Sequence, residues 1–273
     1  MSARYTSMMI NFKLGAAGRL FVGCILLGRL LGCASSDVRA LRQTSSPGAS
    51  PICPPLGTGL SPNSRLGDDV TPQLIDLRLT LDPDAERFSG AVHIAIEVKR
   101  EVCGIVLFGR DLALERTTLR DSAGTTFELT AHSSKDHDLI ELRRGAPISA
   151  GHYTISVAYH ASLSQEKLGL YRVAVSGESY LFSQMEPIGA RRMMPSFDEP
   201  RFKAPLELSI VVPEKLTAVS NEAVLGEQTQ GDGKKLLVFH PTQPLPSYLY
   251  ALAVGPFDVV QETVAPTPER TEP

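Results

Sequence analysis

Apolar and polar residues alternate through most of the chain after its first 72 residues. From Ile75 to Leu81 every second side chain is apolar, and Ala91–Val98 repeats the pattern. A period of two places these side chains on one face of an extended chain, so both segments are predicted to be β-strands with one buried face. Further strands are predicted at Gly104–Phe108, Leu112–Leu119, Leu139–Leu142, Tyr153–Tyr159, Ser179–Phe182, Leu206–Val212, Lys235–Phe239 and Tyr248–Val254.

Turn-forming residues separate these strands at short intervals. Asp82-Pro83-Asp84 and Gly231-Asp232-Gly233 are two examples, and both combine residues that favour tight turns. No long window keeps the apolar repeat of an amphipathic helix. We therefore predict one all-β domain over residues 73–264, built as a β-sandwich-like pair of sheets or as a curved antiparallel sheet.

The first 33 residues follow a different pattern. Residues 1–32 contain basic but no acidic side chains, and an apolar run begins at Leu20. The run is shorter than the roughly 20 apolar residues that span a bilayer, and it matches the core of a signal peptide. Its end, Leu30-Leu31-Gly32-Cys33, resembles the bacterial lipobox, in which the cysteine is acylated. Residues 1–33 are therefore predicted to export the protein and to leave it anchored at a bacterial membrane, on the periplasmic or cell-surface face, by a lipid on Cys33.

Arg29 interrupts this apolar core, which leaves plain secretion or a chance apolar segment as alternatives. Residues 34–72 are rich in Ser, Pro and Gly and are predicted to form a flexible tether, whereas residues 265–273 are predicted to be a polar tail. Cys53 and Cys103 either form a disulfide, which an exported compartment permits, or remain two buried thiols. Neither belongs to the Cys-x-x-Cys pair of a structural zinc site.

Charge and motifs exclude several classes of function. The net charge is −3 and no cluster of Lys and Arg marks the domain, so nucleic acid is not expected as a partner. The sequence has no H-E-x-x-H, G-x-S-x-G, P-loop or dinucleotide-binding motif, and its histidines share no metal-ligand spacing. We therefore predict no catalytic residue, no metal site and no cofactor in this chain. His93 alternates with apolar neighbours and is predicted to lie on the solvent-facing side of its strand.

The segment 184–204 departs from the strand pattern and holds the candidate site. Gln184 and Glu186 are two residues apart after an apolar strand, so in an extended chain both side chains point to the same side. Their oxygens would then suit a cation such as a protonated primary amine. The alternative is that Glu186 pairs with Arg191 or Arg192 on the surface, and residue chemistry alone favours this alternative.

A rigid loop follows the candidate site. Pro195 and Pro200 flank Phe197-Asp198-Glu199, and each proline removes a backbone donor and restricts the residue before it. Asp198 is predicted to bond nearby backbone N–H groups and so to fix the turn. A specified loop between two strands usually positions functional groups.

Several motifs that share one order and lie within 74–260 carry a family resemblance. They are Gly169-Leu170-Tyr171-Arg172, Ser183-Gln184-Met185-Glu186-Pro187, Ala190-Arg191, Pro195, Phe197-Asp198-Glu199-Pro200, Lys203-Ala204, Ser220-Asn221, Tyr248-Leu249-Tyr250-Ala251 and Val254-Gly255-Pro256-Phe257. This order resembles the N-terminal domain of the aminopeptidase N family of zinc metallopeptidases. The chain departs from the family pattern at Ser183 and Ser196, where the family usually has Thr and Cys.

The resemblance implies a β-rich domain that caps the active-site cleft of a thermolysin-like catalytic domain. It implies that Glu186 binds the α-amine of a peptide substrate and that Gln184 forms a wall of the pocket for the first side chain. Asp198, Glu199 and Lys203 are implied to fix the loop and to contact the other domain. In the family the zinc ligands and the general-base glutamate belong to the catalytic domain. This chain is expected to lack that domain and therefore to be inactive alone.

Two functions are predicted. The first is the substrate-capping domain of a membrane-tethered zinc aminopeptidase, which acts on peptide N-termini and holds its zinc in a separate domain. It requires an exposed apolar surface where the catalytic domain packs. The alternative is a non-catalytic, stand-alone β-domain lipoprotein that acts as a binding or interaction module.

Overall fold

A computed structural model of the protein describes residues 53–58, 65–134 and 137–259. The predicted signal peptide, Cys33, most of the predicted tether and the polar tail lie outside these residues. The described strands are β1 (Val70–Thr80), β2 (Arg87–Val98), β3 (Ile105–Phe108), β4 (Leu112–Asp121), β5 (Thr126–Glu128), β6 (Thr130–Ser134), β7 (Leu139–Arg143), β8 (Gly151–Ser162), β9 (Gly169–Val175), β10 (Glu178–Gln184), β11 (Leu206–Pro213), β12 (Thr217–Ser220), β13 (Val224–Thr229), β14 (Lys234–Phe239) and β15 (Leu252–Gly255). Short 3-10 turns lie at Ala190–Arg192 and Ser247–Leu249.

These strands form three sheets. The largest has the order β13-β14-β11-β1-β2-β8-β4-β5, the second β12-β15-β10-β9, and the third β3-β7-β6. The prediction of an all-β domain is confirmed. The paired strands of the described part are antiparallel except at the centre of the large sheet, where β1 pairs in parallel with β11. This parallel pair was not predicted, because β11 follows β1 only after a long intervening sequence. None of the described residues forms a helix that could span a bilayer.

The core lies on one face of the large sheet, as the alternation predicts. Leu77 and Leu79 on β1, Ile94 on β2 and Ile155 on β8 are fully buried. The residues between them face outward, and His93 is one of these exposed residues. Its Nδ1 lies 2.8 Å from the hydroxyl of Ser156 on the neighbouring strand.

The segment Tyr248–Val254 is not one continuous strand as predicted. Its first part belongs to the 3-10 turn Ser247–Leu249, and a strand begins only at Leu252. The side chain of Asn221 explains the break, because its amide donates to the carbonyl of Leu249 at 2.8 Å and its oxygen accepts the N–H of Ala251 at 2.9 Å. A side chain thus takes the place of a neighbouring strand there.

Ordered contacts extend ahead of residue 73 in the described part of the chain. Strand β1 starts at Val70, so the predicted boundary between residues 72 and 73 falls inside it. Leu66, within the predicted tether, is only 5% exposed. Cys53 and Cys103 form a disulfide that joins the described segment 53–58 to the start of β3.

Glu141 of β7 holds the same segment by hydrogen bonds. Its Oε2 accepts the N–H of Gly57 at 2.6 Å, and its Oε1 accepts from Nε of Arg143 at 2.6 Å. Arg143 also donates to the carbonyl of Pro54. Residues 53–58 are therefore tied to the three-stranded sheet by a disulfide and by hydrogen bonds.

Candidate functional site

The candidate amine-binding residues lie at the end of β10. Gln184 is the last residue of that strand, and Glu186 lies in the turn that follows. Both are exposed, whereas Met185 between them is 2% exposed. The side-chain amide of Gln184 donates to the backbone carbonyl of Glu186 at 3.3 Å. The carbonyl oxygen of Gln184 and the carboxylate of Glu186 therefore remain as acceptors at the surface.

The two arginines that could have paired with Glu186 are bound elsewhere. Nε of Arg191 donates to Oδ2 of Asp198 at 2.8 Å. Arg192 forms an ion pair with Glu166, with an N–O distance of 3.1 Å. The surface pairing of Glu186 with either arginine is therefore not found among the described residues.

Arg191 is the centre of a buried polar cluster. It is 8% exposed, and its guanidinium carbon lies 4.0 Å from the centroid of the Phe108 ring. A terminal nitrogen approaches Oδ2 of Asp138 at 3.7 Å, and the backbone carbonyl accepts the N–H of Arg110 at 2.8 Å. With its bond to Asp198, these contacts join the 3-10 turn after β10 to the three-stranded sheet.

Asp198 does not bond nearby backbone N–H groups, so that prediction is wrong. Its carboxylate is buried and accepts from Arg191 through Oδ2 and from the hydroxyl of Ser247 through Oδ1 at 2.5 Å. A guanidinium is a stronger donor to a carboxylate than a neutral amide. The turn itself is held by a backbone bond from Glu199 N–H to the carbonyl of Phe197 at 2.8 Å.

Tyr250 lies close to this carboxylate. Burial raises the pKa of Tyr250, and the negative charge of Asp198 raises it further. The phenol therefore stays protonated at neutral pH and adds no charge to the cluster.

Glu199 holds the chain that leads into β1. Its Oε1 accepts the N–H of Leu66 at 2.6 Å, and its Oε2 accepts from Nε of Arg201 at 2.6 Å. Arg201 also donates to the carbonyl of Leu66 and to the carboxylate of Asp68. Lys203 is exposed. The implied contact of Glu199 and Lys203 with another domain stays a prediction.

Two glycines allow the turn after β10 to pack closely. A Cβ atom at Gly189 would lie 2.3 Å from the backbone oxygen of Gln184, and the N–H of Gly189 donates to the carbonyl of Met185 at 2.6 Å. Gly169 has φ of 79° and pairs with Gln184 across β9 and β10. A Cβ there would lie 2.9 Å from Cβ of Arg192. A side chain at either position would displace the turn.

Ser183 links β10 to its neighbour β15. Its hydroxyl accepts the N–H of Leu252 at 2.8 Å and donates to the carbonyl of Tyr250 at 3.4 Å. The departure from Thr in the family pattern therefore keeps the hydroxyl that both bonds use. Ser196, the other departure, is 1% exposed, and its hydroxyl has no hydrogen-bond partner within the described residues.

The outward surface of the four-stranded sheet is aromatic. Tyr180, Phe182 and Gln184 alternate on one side of β10, and Tyr171 of β9 is in register with Phe182. The rings of Tyr171, Tyr180, Phe182 and Phe257, which we term the aromatic face, are half-buried, and neighbouring centroids lie between 5.1 and 6.4 Å apart. Because Gln184 continues the same side of β10, the aromatic face and the candidate amine site are contiguous.

The candidate site can bind an amine. Its exposed acceptors at Gln184 and Glu186 can receive the N–H groups of an amine. Within the described ranges, no group of three or more His, Cys, Asp or Glu side chains is arranged to hold a metal ion.

Sequence reasoning did not find the partners of Arg191 and Asp198. Ser247 is 49 residues from Asp198 along the chain, and Phe108 belongs to a different sheet. No local spacing indicates such contacts. The opposite charges of Arg191 and Asp198, close together in one motif, were the available signal.

Comparison with known proteins gives an independent view of this domain. Residues 71–249 match the family model of the peptidase M1 N-terminal domain. Aminopeptidase M1-D of Oryza sativa subsp. japonica is 29% identical over 202 residues, which are 72% of this chain and 23% of the rice protein. Aminopeptidase N of Acetobacter pasteurianus is 29% identical over 209 residues, 75% of this chain and 58% of that protein. Glutamyl aminopeptidase of Rattus norvegicus is 25% identical over 224 residues, 78% of this chain and 24% of that protein.

The chain spans less than a quarter of the length of the rice protein. The match covers most of the described residues, including β10, the turn with Glu186 and the loop with Asp198. The resemblance drawn from the motifs is therefore confirmed. The chain belongs to the M1 peptidase family, and residues 71–249 form its N-terminal domain.

Proposed function

We propose that this protein supplies the substrate-capping N-terminal domain of a membrane-tethered zinc aminopeptidase, which removes N-terminal residues from peptides. Glu186 binds the α-ammonium group of the substrate, and Gln184 forms a wall of the pocket for the first side chain. The zinc and the base that activates water belong to a catalytic domain outside the described residues. The observation that carries the proposal is an exposed Glu186, beside Gln184 and not paired with Arg191 or Arg192, in a domain of the M1 family.

The electrostatics of the site support amine binding. Arg191 and Arg192 are both paired with other carboxylates, so neither cancels the charge of Glu186. An exposed ion pair contributes only about 0–1 kcal/mol, and this domain alone is expected to bind amines weakly. A second domain that excluded water from the ion pair between Glu186 and the amine would strengthen that ion pair.

The aromatic face supports a docked catalytic domain. Its half-buried rings adjoin Gln184 on the same side of β10. Val175 on the adjacent strand β9 is 53% exposed. A contiguous apolar surface of this kind marks an interaction site, and aromatic residues are enriched in the cores of protein interfaces. A domain seated there would border the amine site.

The Cys53–Cys103 disulfide supports export. Disulfides form and persist in oxidising compartments and are rare in the cytosol, and this one joins two parts of the folded domain. We propose that the domain is held at the membrane by a lipid on Cys33, so that it works on peptides outside the cytoplasm.

The size of the native product tests the proposal first. An immunoblot against residues 71–259, made on fractions of the cells that produce the protein, is expected to detect a membrane-bound band well above 29.5 kDa. The immunopurified product is expected to hydrolyse alanyl-p-nitroanilide until a chelator removes its zinc. A single band near 29.5 kDa without hydrolysis, alone or with its co-purified partners, would favour the stand-alone lipoprotein instead.

A variant of the active product tests the role of Glu186. Glu186→Gln is expected to lower kcat/KM for alanyl-p-nitroanilide by roughly 10- to 150-fold, because a hydrogen bond to a charged group contributes about 1.5–3 kcal/mol. Glu178→Gln is the matched control, since Glu178 is exposed at the opposite end of β10. Equal effects of the two changes would contradict the assignment.

A further inference from the structure

We infer that the buried Arg191–Asp198 pair positions the turn that carries Glu186. The inference rests on the proposed amine site, because it concerns how that site is held. Neither residue is exposed enough to meet a substrate, since their side chains are 10% and 2% exposed. Both are therefore positioning residues that act through the backbone.

The turn is held before and after Glu186 by different contacts. Before it, the hydroxyl of Ser183 bonds to the N–H of Leu252 and the carbonyl of Tyr250. After it, Arg191 is held by Asp198 through its side chain, at 2.8 Å, and by Arg110 through its backbone carbonyl, also at 2.8 Å. The exposed part of the turn between them has few contacts of its own.

Asp198 connects the two ends. Its Oδ1 accepts from the hydroxyl of Ser247 at 2.5 Å. Ser247 begins the short segment that continues to Tyr250 and Leu252, the partners of Ser183. These hydrogen bonds and the chain segments between them thus form a closed ring around the turn. Among the described residues that form this ring, Asp198 has the only acidic side chain.

Burial makes the pair a strong constraint on the backbone. An exposed pair can separate and become hydrated at little cost, whereas a buried charge that loses its partner cannot remain where it is. Without the Asp198 carboxylate, Arg191 keeps the 3.3 Å bond to the backbone carbonyl of Asp198 and the 3.7 Å approach to Asp138. It loses its shortest side-chain bond, so Arg191 and the 3-10 turn are free to shift. Gly189 would move as well, because its N–H bonds to the carbonyl of Met185 at 2.6 Å. Glu186 lies between Met185 and Gly189 and would lose its fixed position.

A second buried pair in the molecule separates positioning from general stability. Glu141 and Arg143 have side chains that are 7% and 14% exposed and form an ion pair on the three-stranded sheet. Glu141 also accepts the N–H of Gly57, as Asp198 accepts from Ser247. Loss of the Glu141–Arg143 pair is expected to lower the stability of the fold without changing the turn after β10.

The test compares local hydrogen exchange in the full chain, labelled with 15N. The variants are Asp198→Asn, the milder Ser247→Ala and the control Glu141→Gln. We expect Asp198→Asn and Ser247→Ala to speed exchange of the Gly189 N–H by at least about tenfold relative to core amides of β2 and β8. We also expect both to shift the side-chain amide resonances of Gln184, and Glu141→Gln to do neither.

Two outcomes would overturn the inference. One is that the exchange rate of the Gly189 N–H and the side-chain resonances of Gln184 are unchanged in both folded variants. The other is that Glu141→Gln changes them equally.

A separate titration tests the amine site itself. Alanine amide, with N-acetylalanine amide as the control, is titrated into the unaltered chain. Failure of alanine amide to shift Gln184 would count against the proposed amine site, while the exchange data would still decide whether the pair positions the turn.

Discussion

Single atoms decide the shape of the turn after β10. Gly189 does not need a positive φ, yet it has no room for a Cβ atom, because the backbone oxygen of Gln184 would lie 2.3 Å away. Sequence reasoning pointed to Gln184 and Glu186 through their chemistry and their motif. It could not show that a hydrogen atom at position 189 is what allows the chain to fold back beneath them.

Replacement of this glycine tests the point. Gly189→Ala is expected to lower the free energy of unfolding by about 1–3 kcal/mol, as overpacking does, and to raise KM in any active form of the enzyme. Gly226→Ala on β13 is the control, because a Cβ there meets nothing within 4 Å. Urea denaturation of both variants measures the difference, and equal losses would contradict the packing argument.

Tyr159 has a hydroxyl that contributes no hydrogen bond. The residue is 1% exposed, and its hydroxyl has no partner in the described part of the chain. Tyr159→Phe is therefore expected to leave the free energy of unfolding at pH 7 unchanged or to raise it by up to about 1 kcal/mol. Tyr153→Phe, which removes a bond to the carbonyl of Ser149 at 3.1 Å, is expected to cost about 0.5–1 kcal/mol. A large loss in Tyr159→Phe would show an unrecognised partner.

The same burial predicts a loss of stability in alkali. Burial raises the pKa of both Tyr159 and Tyr250, whereas a tyrosine in the unfolded chain ionises near pH 10. Above about pH 10 the unfolded state binds fewer protons than the folded state, so stability falls by about 1.4 kcal/mol per pH unit for each residue. Below that pH the contribution is fully present. Denaturation midpoints measured between pH 8 and pH 11 should fall less steeply in Tyr159→Phe.

At the scale of elements, alternation found the strands that bury one face. It missed β9 and β12, as well as β13, whose six residues are all exposed, and the short polar strands β5 and β6. Such strands exist because a neighbour supplies backbone hydrogen bonds, and their own side chains carry no periodic signal. The site was predictable to the same degree: the exposed Gln184 and Glu186 lie in a recognisable motif, whereas the contact of Asp198 with Ser247 depends on how distant elements meet.

One hydroxyl extends the backbone pairing between β10 and β15. Ser183→Ala leaves the N–H of Leu252 without its partner and is expected to lower the free energy of unfolding by about 1–3 kcal/mol. Ser183→Thr restores the family residue and keeps the hydroxyl, so it is expected to be neutral. Ser179→Ala on the same strand serves as the control in thermal denaturation. Equal losses in Ser183→Ala and Ser179→Ala would contradict this role of the hydroxyl.

At the scale of the whole molecule, one disulfide closes a long loop of the chain. The Cys53–Cys103 disulfide joins residues separated by 50 positions, and a loop of that length limits the freedom of the unfolded chain. Replacing both cysteines by alanine is expected to lower the free energy of unfolding by up to about 4 kcal/mol. Urea denaturation with and without a reductant measures this loss of stability. The denaturation midpoint of the double variant should not change when the reductant is added. An unchanged midpoint would mean that the bond adds nothing to the stability of the domain.

The parallel pair of β1 and β11 has a consequence for a chain that reaches its folding compartment N-terminus first, at the pace of its synthesis. Strand β1 can pair with β2 as soon as both have emerged, but its other edge must wait for β11, which is made much later. At about 5–20 residues per second the delay is on the order of ten seconds. During that time the future centre of the large sheet is an open edge, which other strands can join wrongly. The nascent chain is thus most exposed to misassembly at the place that is best protected in the finished protein.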